Sequence, residues 1–153
     1  MKFKFFIIFF LAINTFTFAQ NLVWHTDAHK AVELSTKQKK PLLVFFTGSD
    51  WCGWCKRLQN EVFQTPEFNI WAKKNVILLE LDFPRNTTQP KKIQEQNQQL
   101  QQVFGVQGYP TVWFVTAAVA NGKTSFSPIG RTGYISGGVS EWLKEANSIL
   151  KIK

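Results

Sequence analysis

Cysteine is nearly absent: the 153 residues contain only Cys52 and Cys55. No apolar run reaches the roughly 20 residues that a membrane-spanning helix needs. Acidic residues are also sparse, ten against eighteen Lys and Arg. The basic residues nevertheless form no long run and no aromatic–basic stripe. They fall in short groups: Lys37, Lys39 and Lys40, then Lys73 and Lys74, then Lys91 and Lys92. That scatter describes a solvated surface, so no nucleic-acid partner is expected. Internal repeats and linkers are missing too, which leaves room for one domain. What is present is a globular composition, 44% hydrophobic and 18% charged. Fifteen Phe and six Trp can fill a core without further covalent staples.

The first residues stand apart. Met1-Lys2-Phe3-Lys4 is basic, Phe5 to Ile13 is continuously apolar, and Asn14 to Ala19 is more polar and ends on a small residue. This is the order of a secretory signal peptide, with cleavage expected after Ala19. The division is then residues 1–19 as signal and 20–153 as the domain. Losing Lys2 and Lys4, with no acidic residue, lowers the formal charge from +8 to +6. An uncleaved anchor is the competing reading, but the short apolar run and its flanks favour a signal, so no stable membrane anchor is expected. Neither cysteine is near the cleavage site, so lipid attachment at an N-terminal cysteine is not available. The expected location is periplasmic or otherwise exported.

The remainder alternates between strand and helix. Thr26 or Asp27 can cap a helix ending near Lys39, before Pro41, with Ala31, Val32 and Leu34 turned to the core. Leu42–Phe46 has the length and continuous apolarity of a buried strand. Thr47-Gly48-Ser49-Asp50 is a turn, and a helix begins near Cys52 and continues through Val62. Thr65-Pro66-Glu67 starts another helix, with proline at its first position. Val76–Leu81 is a second buried strand, followed by a loop from Asp82 to Pro90. Lys91–Phe104 is a helix with Ile93, Leu100, Val103 and Phe104 at helical spacing. Thr111–Val115 is a third strand, Ala117–Thr124 a hairpin turn tipped by Asn121-Gly122, and Phe126–Arg131 a short antiparallel edge strand. Gly137-Gly138 precedes a last helix carrying Val139, Trp142, Leu143, Ile149 and Leu150. The fold class is α/β, a central mixed sheet flanked by helices.

The two cysteines occur as Trp51-Cys52-Gly53-Trp54-Cys55-Lys56, after a buried strand and at a helix start. Disulfide attack requires a thiolate, and free amides at a helix start favour negative charge. Cys52 is therefore the expected nucleophile. Cys55, one turn inside, is the expected resolving thiol, with Lys56 and Arg57 adding positive charge. Three other readings fit less well, and one of them, a pair of inert thiols, conflicts with an oxidising compartment. A purely structural disulfide across so small a loop is worth only about 1.9 kcal/mol in the chain-entropy model. A zinc site of Cys52, Cys55, His25 and His29 has suitable ligand types, but the order is reversed relative to the common finger spacing. No metal is assigned, and no bound cofactor is required, because the cysteines can themselves be the redox centre.

These residues resemble the thioredoxin superfamily. The resemblance rests on the strand Leu42–Phe46, the Cys-Gly-Trp-Cys motif, the strand Val76–Leu81, and Gly108-Tyr109-Pro110-Thr111 before Val112–Val115. The spacing of Thr47–Cys52, with Glu61-Val62-Phe63 and Thr65-Pro66-Glu67-Phe68, is similar to an exported bacterial branch. It covers about residues 24 to 151. The resemblance implies a thioredoxin-like fold and a cis proline at Pro110 facing the cysteine pair. Tyr109 would then offer its backbone to an extended substrate segment. Trp51 and Trp54 would form an apolar rim suited to unfolded or loosely folded proteins. Two departures stand out: thioredoxin has Gly-Pro where this chain has Gly-Trp, and its buried acid falls here on Phe45 or Phe46. Glu80 and Asp82 lie on the neighbouring strand. The implied activity is thiol–disulfide exchange with exported proteins bearing thiols or disulfides, reset by a further redox partner. The alternative is a thioredoxin-fold binding module that holds exported proteins without turnover.

Overall fold

A computed structural model describes residues 22–152, which build a mixed sheet covered on both faces by helices. The expected signal segment, residues 1–19, lies outside the described residues. The sheet contains β1 (Trp24–His25), β2 (Leu42–Thr47), β3 (Ile77–Asp82), β4 (Thr111–Ala120) and β5 (Lys123–Thr132), in the order β1-β3-β2-β4-β5. β1, β3 and β2 are mutually parallel, β4 runs antiparallel to β2, and β5 runs antiparallel to β4. The helices are α1 (Ala28–Gln38), α2 (Gly53–Leu58), α3 (Pro66–Asn75), α4 (Lys91–Val103) and α5 (Gly138–Leu150). A π-helical turn, Gln59–Phe63, continues α2.

Alternation along the buried strands divides the core in two. Leu43 and Phe45 of β2 join Leu78, Val112 and Phe114 beneath α2, α3 and α5, with Trp142 fully buried. Leu42, Val44 and Phe46 join Leu79, Leu81 and Val115 beneath α1 and α4. Each fully buried Leu or Phe contributes about 1.5–3 kcal/mol. β2 is buried along its whole length, as its continuous apolar sequence requires. The cysteines belong to the first of these two layers.

Local chemistry fixes the element ends. Asp27 caps α1 by accepting the amides of His29 and Lys30 at 2.9 and 3.3 Å. Thr65 caps α3, and Pro66 takes the first helical position. Among the described residues no helix is long and apolar enough to cross a membrane.

Several boundaries differ from the sequence reading. Val103, expected to face inward, is 67% exposed. It lies roughly 80° around the helix from the mean direction of Ile93, Leu100 and Phe104. The wide hairpin turn expected over Ala117–Thr124 contracts to Asn121-Gly122 alone. Both residues have positive φ, 53° and 71°, as a two-residue hairpin turn requires. The flanking strands are each ten residues long. Their outer halves are mostly exposed, with Ala117 and Phe126 packing on the core, so little hydrophobic alternation announces them. β1 is too short to carry a periodicity and was not expected.

Candidate functional site

β2 delivers the chain to the site through a loop that is tied to the segment after β3. The Ser49 amide and hydroxyl both donate to the Asp82 carboxylate, at 2.8 and 2.6 Å. Asp50 accepts the amides of Arg85 and Asn86, which holds its carboxyl below the usual range. Trp51 Nε1 donates to the Phe83 carbonyl at 2.8 Å. These contacts fix where α2 begins.

Cys52 is the N-cap of α2. Its Sγ accepts the Cys55 amide at 3.2 Å, and the two cysteines form a disulfide with Cα atoms 5.3 Å apart. Cys52 is 6% exposed and Cys55 is fully buried. The structure thus brings the predicted pair together, with the second member deeper.

The predicted substrate-binding residues lie along two sides of this pair. The Trp51 ring meets Tyr109 edge-on, with centroids 5.7 Å apart. Burial pushes the Tyr109 hydroxyl pKa up, and that hydroxyl accepts from Gln101 at 2.8 Å. The Tyr109–Pro110 peptide is cis. Gly133 approaches Pro110 closely: a Cβ there would stand 3.0 Å from the Pro110 carbonyl oxygen. Trp54 is 56% exposed and leans on Tyr134, with centroids 5.1 Å apart. Arg57 lies over both rings, at 5.5 and 5.1 Å. Glu61 accepts from Arg57 at 2.6 Å and from the Tyr134 hydroxyl at 2.7 Å. The bond from Arg57, and then that from Tyr134, lowers the Glu61 pKa.

Tyr134 and Arg85 were missed by the sequence reading. Tyrosine occurs only twice, at Tyr109 and Tyr134, and Tyr134 sits in a glycine-flanked loop; this rarity and placement could have singled it out. Arg85 stacks on Trp51, with its guanidinium carbon 3.8 Å from the ring centroid. Nothing in the sequence marks that partner.

The position of the family's buried acid is resolved. Phe45 shares the cysteine face, whereas Phe46 lies on the other face. Phe45 pairs in register with Glu80. Glu80, Phe45, Trp24, Gln59, Phe63 and Gln64 line a cavity of about 200 Å³. Burial, reinforced by Asp82, raises the Glu80 pKa. The zinc reading is not supported. His25 lies in β1 and His29 faces Glu33 at 3.5 Å. Among the described residues no group of three or more His, Cys, Asp or Glu could hold a metal ion.

A family model described as thioredoxin-like matches residues 23–117. The chain belongs to the thioredoxin-like family. This thioredoxin-like chain is 36% identical over 135 residues to a protein named disulfide bond reductase DsbH of Chlamydia pneumoniae, covering 88% of the chain and 76% of that relative. It is 32% identical over 105 residues to a thioredoxin-related protein, DsbJ, of the same organism; this covers 65% of the chain but only 30% of the relative. The solved structure of a DsbH oxidoreductase superposes with a TM-score of 0.76 at 33% identity, covering 87% of each chain. A thioredoxin from Thermus thermophilus gives a TM-score of 0.61 at 19% identity, covering 84% of this chain and 87% of that one, a likeness of fold. With its Cys52–Cys55 disulfide, the thioredoxin-like chain is a thiol–disulfide oxidoreductase.

Proposed function

We propose that the protein is exported after cleavage near Ala19 and exchanges disulfides with exported proteins, working as a reductant. The observation that carries the mechanism is the asymmetry of the pair. Cys52 Sγ takes the Cys55 amide, while Cys55 has no exposure at all. In the reduced protein, that amide favours thiolate at Cys52. Cys52 thiolate attacks one sulfur of a substrate disulfide. A Cys52–substrate bond forms, and the other substrate sulfur leaves as a thiolate that takes up a proton. Cys55 then loses its proton and attacks Cys52 Sγ. This closes the Cys52–Cys55 disulfide and frees the second substrate thiol. The substrate gains two electrons and the protein loses two. A separate dithiol partner returns it to the reduced state.

Tyr109 and Pro110 shape the groove along which an extended substrate segment pairs, and Trp51 and Trp54 form its apolar rim. The reducing direction is supported by the relative named a disulfide bond reductase. Export is supported by the order of charge and apolarity in Met1–Ala19. Two measurements test the proposal. With a dithiol supply, the protein should accelerate precipitation of reduced insulin; a rate equal to the dithiol alone would refute catalysis. Protein from envelope fractions should begin near Gln20, and full-length chain retained in the cytosol would refute export.

A further inference from the structure

The two tryptophans beside the cysteines each carry an arginine, but the two arginines differ in state. Arg57, over Trp54, is occupied: Glu61 accepts its Nε at 2.6 Å and neutralises it. Arg85, over Trp51, is exposed, and among the described residues no carboxylate lies within ion-pair distance of its guanidinium. Asp50 is close, but its oxygens accept the backbone amides of Arg85 and Asn86. Those bonds anchor the loop that presents the side chain. Lys56 sits on the same side, its Nζ donating to the Asp50 carbonyl at 3.2 Å, and it too lacks a carboxylate partner. A guanidinium held 3.8 Å from an indole centroid has already lost much of its freedom, yet its planar fork of donors has no carboxylate partner among the described residues. Such a group takes a carboxylate in a charge-assisted, two-point contact.

We propose that Arg85, supported by Lys56, is a specificity-determining residue that binds an acidic side chain next to the reacting cysteine of the substrate segment. The preferred substrates are then extended segments in which Asp or Glu flanks the cysteine. The inference rests on the proposed groove along Trp51 and Tyr109. The Trp54 end, where Glu61 already neutralises Arg57, adds no net positive charge and favours aromatic or aliphatic neighbours instead.

The test uses two disulfide peptides identical except for Glu or Gln beside the cysteine. The reduced full-length mature protein is mixed with each, and its oxidation is followed by tryptophan fluorescence. The Glu peptide should react about two- to fivefold faster, the scale of an exposed ion pair. That ratio should shrink towards one at high salt. Arg85→Gln should abolish the ratio, while Arg85→Lys should keep part of it, because the charge remains but the fork is lost. Equal rates for the two peptides with the wild type, or an unchanged ratio in Arg85→Gln, would overturn the inference and leave the exchange reading intact. Failure of the wild type to react with either peptide would instead overturn the exchange reading, and the inference with it.

Discussion

Phe45 of β2 stands directly across from Glu80 of β3, on the face of the sheet that carries the cysteines. The ring is fully buried and contacts Trp24 and Phe63, with centroids 5.8 and 5.1 Å away. A carboxylate in place of that ring would lose these contacts, lack a partner and face Glu80. Phe45→Asp should therefore destabilise the protein by several kcal/mol, about 3–5. Denaturant unfolding at neutral pH checks this, and an unchanged midpoint would contradict the burial of Phe45.

Glu80 itself should give stability a particular pH dependence. Its pKa in the folded protein lies above the ordinary value of 4.5, because of burial first and Asp82 second. Between the two values the folded state holds a proton that the unfolded chain has released, so stability falls as pH rises through that window. Glu80→Gln removes the titration. The variant should melt above the wild type at pH 7 to 8, and the gap should narrow as pH is lowered towards 4.5 and level off below it. A gap that is constant with pH would exclude this role.

The two cysteines should behave differently in trapping experiments. Cys55→Ala keeps the proposed nucleophile and loses the group that resolves the mixed disulfide. It should accumulate reducible high-mass adducts with envelope proteins. Cys52→Ala leaves only the fully buried thiol and should trap far less. Alkylation of the reduced protein at neutral pH should likewise label Cys52 well before Cys55. Equal trapping by both variants, or by neither, would contradict the proposed division of labour.

Gly48 is required by the indole beside it. A Cβ at Gly48 would run into the Trp51 ring, which is held from elsewhere by the Phe83 carbonyl and by Arg85. Gly48→Ala should cost about 1–3 kcal/mol, as overpacking does, and should displace Trp51. Tryptophan emission and the insulin-reduction rate should both change. A variant with wild-type emission and rate would show that the ring can yield freely.

Sequence carried most of the framework where burial and chemistry are local. Leu42–Phe46 is apolar throughout because both of its faces are covered, and Thr65-Pro66 carries its own capping chemistry. Cys52 and Cys55 were legible from spacing and context. What escaped depends on distant partners. β1 is a two-residue strand that exists through its pairing with Leu78 and Leu79. Tyr134 reaches Trp54 because β5 returns its loop to the site, and Glu61, 73 residues away in sequence, anchors its hydroxyl. Arg85 is one basic residue among eighteen until Asp50 fixes its loop. The choice between Phe45 and Phe46 needed the register of β2, since a shift of one residue exchanges the two faces.

The long hairpin places β5 at one border of the sheet, where a ten-residue strand could serve as a template for another copy of the chain. Pro128 interrupts that border by withholding an amide donor, and the irregularity between Phe114 and Val115 falls opposite it. Lys123 and Arg131 place like charges near the two ends. At the opposite border, β1 offers only two residues for pairing. Both margins are thus poor seeds for strand-by-strand aggregation.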